Sequence, residues 1–294
     1  MRRIALIVNP IAGDGKCLRK LPKVEKILTG ARVEYTTLMT QSAGHAVLLA
    51  KQAAQDGFTT VISMGGDGTL SEVVNGLAGT TCVLGFIPAG SGNDFGRTFG
   101  LRSGDVEQAC AVIIQEDVRE IDLGYTEGKY FLNVAGAGFD AEVGHMANVW
   151  GKKYFPGYLA YIASILRQLV RFYPREMHIE LDGRMVDTKA WLVAVGNGRF
   201  FGGGMMIAPA AEVDDRLFDV CVIGATSKLE LLKVLPKVFK GDHVHHQAVK
   251  CYRASYVKLS SNSPMVTQAD GEILGTLPRE FIIAEQRIKV LLPR

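Results

Sequence analysis

The sequence predicts an α/β N-terminal domain on a doubly wound parallel sheet, then a mainly antiparallel β-sandwich domain with helical insertions. Three observations predict it. The first third of the chain alternates short β-rich runs with helical patterns. Beyond about residue 122 the β-runs follow one another closely, with turn signals between them. The length, 294 residues with 48% hydrophobic and 21% charged side chains, suffices to bury two cores and leaves no segment polar enough to read as disordered. The domains are placed at 1–122 and 123–294, with the last few residues as candidates to return to the first. No low-complexity linker separates them, so a cleft between the domains is the expected active site.

In chain order, strand Ile4–Val8 is followed by a helix near Leu18–Leu28, strand Val33–Thr37, helix Ala43–Gln55, strand Thr59–Ser63, helix Thr69–Leu77 and strand Cys82–Ile87. Ser42 and Ser103 are the expected N-caps of helices beginning at Ala43 and Gly104. The second half offers strands at Val118–Asp122, Tyr130–Ala135, Trp191–Val195, Phe218–Ile223, Tyr256–Ser260 and Phe281–Leu292, with a hairpin about Asp182–Gly183. Helices interrupt it at Gly157–Phe172 and Ser227–Phe239, the latter opened by a Ser227-x-x-Glu230 capping box.

Composition excludes several classes. A net charge of +3 with no basic run interleaved with aromatics argues against a nucleic-acid partner. Five scattered cysteines without a C-x-x-C pair indicate neither a disulfide framework nor a zinc site, which suits a reducing, cytoplasmic setting. No stretch approaches the roughly 20 apolar residues that span a bilayer, so a lipid would have to be collected at the membrane surface by a peripheral protein.

The sharpest motif is Gly65-Gly66-Asp67-Gly68-Thr69-Leu70-Ser71-Glu72, between an apolar strand and a helix. Glycines let backbone amides approach an anion, the helix N-terminus favours negative charge, and Asp67 offers a carboxylate to a metal. It is no dinucleotide fingerprint, because Ser71 stands where the third glycine belongs. Gly13-Asp14-Gly15-Lys16 is no Walker A loop, with Pro10 in place of the first glycine and Cys17 in place of the Ser or Thr. A second loop, Pro88-Ala89-Gly90-Ser91-Gly92-Asn93-Asp94-Phe95, follows the next strand and can emerge on the same sheet edge.

With Asn9-Pro10, Gly138-Phe139-Asp140, Asn197-Gly198, Ala208-Pro209, Asp214-Asp215 and Asp270-Gly271-Glu272, these motifs make the chain resemble, over nearly its whole length, the catalytic domain shared by diacylglycerol, sphingosine and ceramide kinases, especially the compact bacterial lipid kinases. The resemblance implies an ATP- and Mg2+-dependent kinase that phosphorylates a lipid hydroxyl, diacylglycerol first among candidates. It implies nucleotide contacts from Asn9, Pro10, Thr40, Gly65, Gly66, Asp67, Gly68, Thr69, Leu70, Ser71 and Ser91, and a hydrated magnesium held by Asp67, Asp94 and Asp122. Glu272 is the expected general base, with Asp270 behind it. A second, structural metal is implied at Asp215, with carbonyls from Glu212 and Leu217. Arg216 departs from the pattern there, standing where the family usually has glycine. The family leans toward homodimers. An NAD kinase-like enzyme, which shares the Gly-Gly-Asp-Gly-Thr loop, and a non-catalytic regulator of the same fold are the alternatives.

The remaining signals have plainer readings. His243, His245 and His246 lack acidic or cysteine partners at ligand spacing and are expected to pack or to face solvent. The aromatic and lysine run Trp150–Tyr158, with Lys152 and Lys153, suits either a membrane headgroup layer or helix packing. Gly202-Gly203-Gly204 reads as a tight connection.

Overall fold

The computed structural model describes residues 3–101, 104–146, 150, 154 and 157–294. The chain forms two compact units: 1–123 with 129–131 and 284–294, and 124–128 with 132–283.

In the first unit, β1 (Ile4–Val8), β2 (Tyr35–Met39), β3 (Thr60–Gly65) and β4 (Val83–Pro88) form a parallel sheet in the order β2-β1-β3-β4. The C-terminal end of a long late strand, Arg279–Leu291, adds a parallel partner to β4 through Lys289 and Val290. All five residues of β1 are buried, because helices cover both faces of such a sheet and its centre must be apolar throughout. Those helices are α1 (Lys16–Gly30), α2 (His45–Gln55), α3 (Asp67–Leu77), the short α4 (Asp94–Thr98) and α5 (Val106–Gln115).

The helix starts differ from expectation for a tertiary reason. Ser42 does not cap α2. Gly44 holds that position, and Glu72 of α3 accepts hydrogen bonds from the Gly44 and Ala46 amides at 2.9 and 3.0 Å. One carboxylate satisfies two of the helix's open donors and complements its dipole. Ser103 lies outside the described residues. The Asp105 side chain caps α5, accepting from the Gln108 amide at 3.0 Å.

The chain passes between the units in β5 (Val118–Thr126), and β6 (Lys129–Phe131) belongs to the first. The second unit is antiparallel. The N-terminal part of β9 (Arg184–Gly196) pairs with β8 (Arg175–Leu181), and its C-terminal part pairs with β7 (Val134–Gly138) and β12 (Phe218–Gly224). Asp182 and Gly183, at φ 47° and 86°, make the expected β8–β9 turn. Alternation along β8 buries Met177, Ile179 and Leu181, the pattern of a sheet with one face in the core. The short hairpin β10 (Phe200–Phe201) and β11 (Met205–Met206) turns through Gly202, Gly203 and Gly204, all at positive φ, so this segment is the tight connection. β13 (Val249–Ala254) pairs with β12, β14 (Tyr256–Ser260) with β8, and β15 (Val266–Ala269) with β7 and β16 (Glu272–Thr276). The start of Arg279–Leu291, β17, pairs with β14.

The helical insertions are α6 (Phe139–Met146), α7 (Gly157–Arg171) and α8 (Lys228–Val238). Phe139, Phe172 and Trp191 close an aromatic cluster with centroids 5.7–6.0 Å apart, and the Trp191 indole donates to the Thr226 carbonyl at 3.2 Å. Ser227 caps α8 through the Glu230 amide. The Glu230 carboxylate goes to His246 and Lys233 rather than back to the cap. Lys152 and Lys153 lie outside the described residues. Among the described residues no helix is long and apolar enough to cross a membrane.

Candidate active site

The first unit gathers its candidate residues at the carboxyl ends of its parallel strands. Asn9 follows β1, Thr40 follows β2, Gly65 ends β3 and Pro88 ends β4. The Asn9 amide nitrogen donates to the Thr69 hydroxyl at 2.9 Å, and the Thr40 backbone N–H donates to Val8 O at 2.9 Å. The first strand's loop is thereby tied to the start of α3.

The two glycine loops meet backbone to backbone. A Cβ on Gly90 would lie 2.4 Å from the Gly66 Cα, so no larger residue fits at Gly90 without displacing the loops. Asp67 stitches the loops together: its Oδ2 accepts the Asn93 amide at 2.6 Å and its Oδ1 the Asp94 amide at 2.7 Å. Asn93, at φ 54°, closes its own loop onto Gly90 with hydrogen bonds of 3.0 and 2.7 Å. Burial pushes the Asp67 carboxyl above its ordinary range, against the opposing effect of the Asp94 and Asn93 amides. The gap between the loops is open to solvent on one side and, at about 10 Å³, has room for about one water. A phosphate would therefore lie on the loops rather than between them. Thr69, Leu70 and Ser71 are buried under this surface, whereas Gly68 and Ser91 are exposed.

Asp67 and Asp94 flank Gly92, whose Cβ position is 2.6 Å from Asp67 Oδ2 and 3.6 Å from Asp94 Oδ2. Asp122 is engaged elsewhere: buried in β5, it accepts from Arg287 Nε at 2.8 Å. Among the described residues no three His, Cys, Asp or Glu side chains converge as a metal cluster. The expected trio of Asp67, Asp94 and Asp122 is thus a flanking pair plus a separate ion pair. Two carboxylates fit a magnesium that keeps most of its waters and takes its other ligands from substrate phosphates.

In the second unit Asp270 and Glu272 have different surroundings. Asp270 and Gly271, at φ 49° and 83°, form the two-residue turn of the β15–β16 hairpin, with Ala269 paired to Glu272. The Asp270 carboxylate accepts from three backbone amides, Leu132 at 2.8, Asn133 at 2.9 and Val134 at 3.2 Å. Its oxygens organise that loop. Glu272 is exposed at the first position of β16.

Behind the turn, the Gln268 side chain accepts from the Gly271 amide at 2.9 Å and donates to Asp140 Oδ2 at 3.3 Å. Burial pushes the Asp140 carboxyl up to about 6. Asp140 belongs to a recognised motif, but only the fold shows that it supports the Asp270-Gly271-Glu272 turn; Gln268 carried no sequence signal beyond its place before Asp270.

The second metal does not fit. Asp215 accepts from the Arg253 guanidinium on Oδ2 and from the Leu217 amide, 3.0 Å away, on Oδ1. Arg253 stands opposite Asp219 in the β12–β13 register, with Nε 3.7 Å from Asp219 Oδ2. Glu212 is exposed, and Arg216 keeps φ at 64°. The Asp215 carboxylate is already satisfied by the Arg253 guanidinium and the Leu217 amide, and no role is assigned to a metal there. His243 is buried, which holds its imidazole below the usual histidine range, its Nε2 facing Ile207 O at 3.1 Å, and His246 pairs with Glu230 at 3.0 Å.

Residues 3–126 match the model of the diacylglycerol kinase catalytic domain, and residues 133–292 that of the YegS C-terminal NAD kinase beta sandwich-like domain. The chain belongs to the diacylglycerol kinase family. It is similar over its full length to diacylglycerol kinases of Bacillus subtilis, 34% identical across 97% of that protein, and Mycobacterium tuberculosis, 32% identical across 96%. A crystal structure of a diacylglycerol kinase from Bacillus anthracis superposes with a TM-score of 0.77 at 25% identity, covering 99% of this chain and 97% of the other. Membership makes the protein a kinase with an alcohol acceptor, and it accounts for the pairing of an α/β unit with an antiparallel one.

Proposed function

We propose that the protein transfers the γ-phosphate of ATP to the hydroxyl of diacylglycerol, forming phosphatidic acid. The observation that carries this reading is the Asp67 clasp, which holds two glycine-rich loops as one surface of backbone amides at the N-terminus of an 11-residue helix. Such a surface stabilises phosphate charge without reorganising. Asp67 and Asp94 are the residues to hold a hydrated Mg2+, which when bound neutralises charge on the phosphates. Thr69 and Asn9 fix the loop edge beside them. Glu272 is the proposed base, taking the proton of the lipid hydroxyl as the oxygen attacks. Asp270, with three amides on its carboxylate, is a positioning residue for the turn that presents Glu272.

The acceptor resides in a membrane, and one face of the second unit suits that source. Leu166 and Val170 are 53% and 72% exposed on α7, Tyr173 is 64% exposed just beyond it, and Leu229 of α8 is 74% exposed. Lys228 draws these together, donating to Val170 O at 2.7 Å and lying 3.9 Å from the Tyr173 ring centre. These apolar side chains, with Lys228 among them and Arg167 and Arg171 on the same helix as Leu166 and Val170, complement an anionic lipid surface.

The test is ATP consumption with magnesium against dispersed diacylglycerol, sphingosine, ceramide and NAD, with Asp67→Ala as control. Phosphatidic acid formed by the wild type and not by the variant is the expected result. Phosphorylation of NAD alone would reassign the enzyme, as the NAD kinase-like sandwich match allows. Val170→Glu with Leu229→Glu should reduce sedimentation with phosphatidylglycerol vesicles; unchanged binding would remove this face from the account.

A further inference from the structure

Cys221 and Cys251, distant in sequence, are direct partners in the antiparallel register of β12 and β13. Opposed residues project to the same face of a sheet, with Cα atoms roughly 4.5–5.5 Å apart, inside the roughly 4.4–6.8 Å that a disulfide spans. Both are free thiols.

Their environments differ. Cys221 is buried in a strand paired on both sides, with His243 Nε2 3.7 Å from its sulfur. Because the Ile207 carbonyl can only accept, Nε2 of His243 carries a hydrogen and presents it to Ile207 O, with the Cys221 sulfur beside it. Cys251 is exposed, on a strand whose one recorded partner among the described residues is β12, so a small oxidant can reach it.

We propose that Cys221 and Cys251 form a reversible dithiol–disulfide site whose oxidant is a peroxide, with Cys251 attacked first and Cys221 resolving. The Cys251 sulfur displaces one oxygen of the peroxide O–O bond. Cys251 becomes a sulfenic acid, and the leaving oxygen departs as water with the thiol proton. The Cys221 sulfur then attacks the Cys251 sulfur, the S–O bond breaks, and that oxygen leaves as a second water with the Cys221 proton. Two thiols and one hydrogen peroxide yield one disulfide and two waters. The neighbouring Cys221 thiol holds the Cys251 thiol below its ordinary range, which supports this order of attack. The bond would fasten β13, which carries Arg253, to β12, which carries Asp219.

The experiment treats the reduced full-length protein with hydrogen peroxide, blocks remaining thiols and maps peptides by mass. A peptide pair joined through Cys221 and Cys251, released by dithiothreitol and absent from Cys251→Ser, is the expected result. Because Cys251 is on the surface, that variant should keep the wild-type melting temperature and kinase turnover. Labelling of Cys251 by iodoacetamide should slow in Cys221→Ala, which leaves no donor beside it, checked for native circular dichroism; an unchanged rate would overturn the order of attack. Sulfinic acid on Cys251 with Cys221 unmodified, or a Cys251-linked dimer on a non-reducing gel, would overturn the proposal.

Discussion

Asp67 and Asp270 stand in the two units as each motif's most conspicuous acid, and both place their carboxylates on backbone amides of a neighbouring segment. They differ in what lies beside them. Asp67 opens α3 and shares the edge of Gly92 with Asp94, so its clasp is also the surface on which phosphate charge is to be met. Asp270 sits in a turn whose nearby Glu272 remains exposed, so the clasp and the proposed base are separate residues. In such motifs an acid can be essential because it holds a loop, and mutational loss alone does not assign it to chemistry.

The sharpest way to break this comparison is at Glu272. Glu272→Gln should lower turnover ~100- to 10,000-fold while nucleotide affinity and melting temperature stay at wild-type values. Retention of turnover would move the base to another residue. Asp270→Ala should instead act on the fold: three amides lose their acceptor, at a cost of about 3 kcal/mol in chemical denaturation. Nucleotide affinity, measured where the variant is folded, should not change; a loss would make the two clasps alike.

A smaller effect tests the support beneath that turn. Burial raises the folded-state pKa of Asp140 to about 6 from its ordinary 3.8, so between those pH values the folded protein holds a proton that the unfolded chain has released. Stability must then fall as pH rises from about 4 to about 6, by up to ~3 kcal/mol from this group, and level off above. Asp140→Asn should flatten that slope and raise the melting temperature at pH 7; an unaltered slope would mean that the carboxyl is not buried as described. The smallest effect is at Arg216, whose left-handed backbone at φ 64° costs about 1 kcal/mol for a residue with a side chain. Arg216→Gly should gain up to about that amount in urea unfolding, less the extra freedom of the unfolded chain.

The α/β alternation, the one-face pattern of β8, the Asp182–Gly183 turn and both glycine loops were legible because each is a local arrangement of residue types. The helix caps were not. Glu72 reaches the Gly44 and Ala46 amides from another helix, and a serine at the right spacing stood in for it in the sequence reading. The resemblance implies Asp122 as a metal ligand; its ion pair with Arg287, 165 residues further along the chain, is not visible in the sequence. Arg253 illustrates the same limit, since its approach to Asp215 and Asp219 depends on strand register.

The sequence by itself determined the fold class, the family and the two glycine-rich loops, because backbone conformations that need glycine and the periodicities of helix and strand are written residue by residue. Tertiary structure decided which acids are spent on amides or guanidinium groups, which remain exposed, and which two of five cysteines face each other. Those outcomes depend on distances between residues far apart in the chain, where a carboxylate's or thiol's chemistry is set by the donors that packing brings to it.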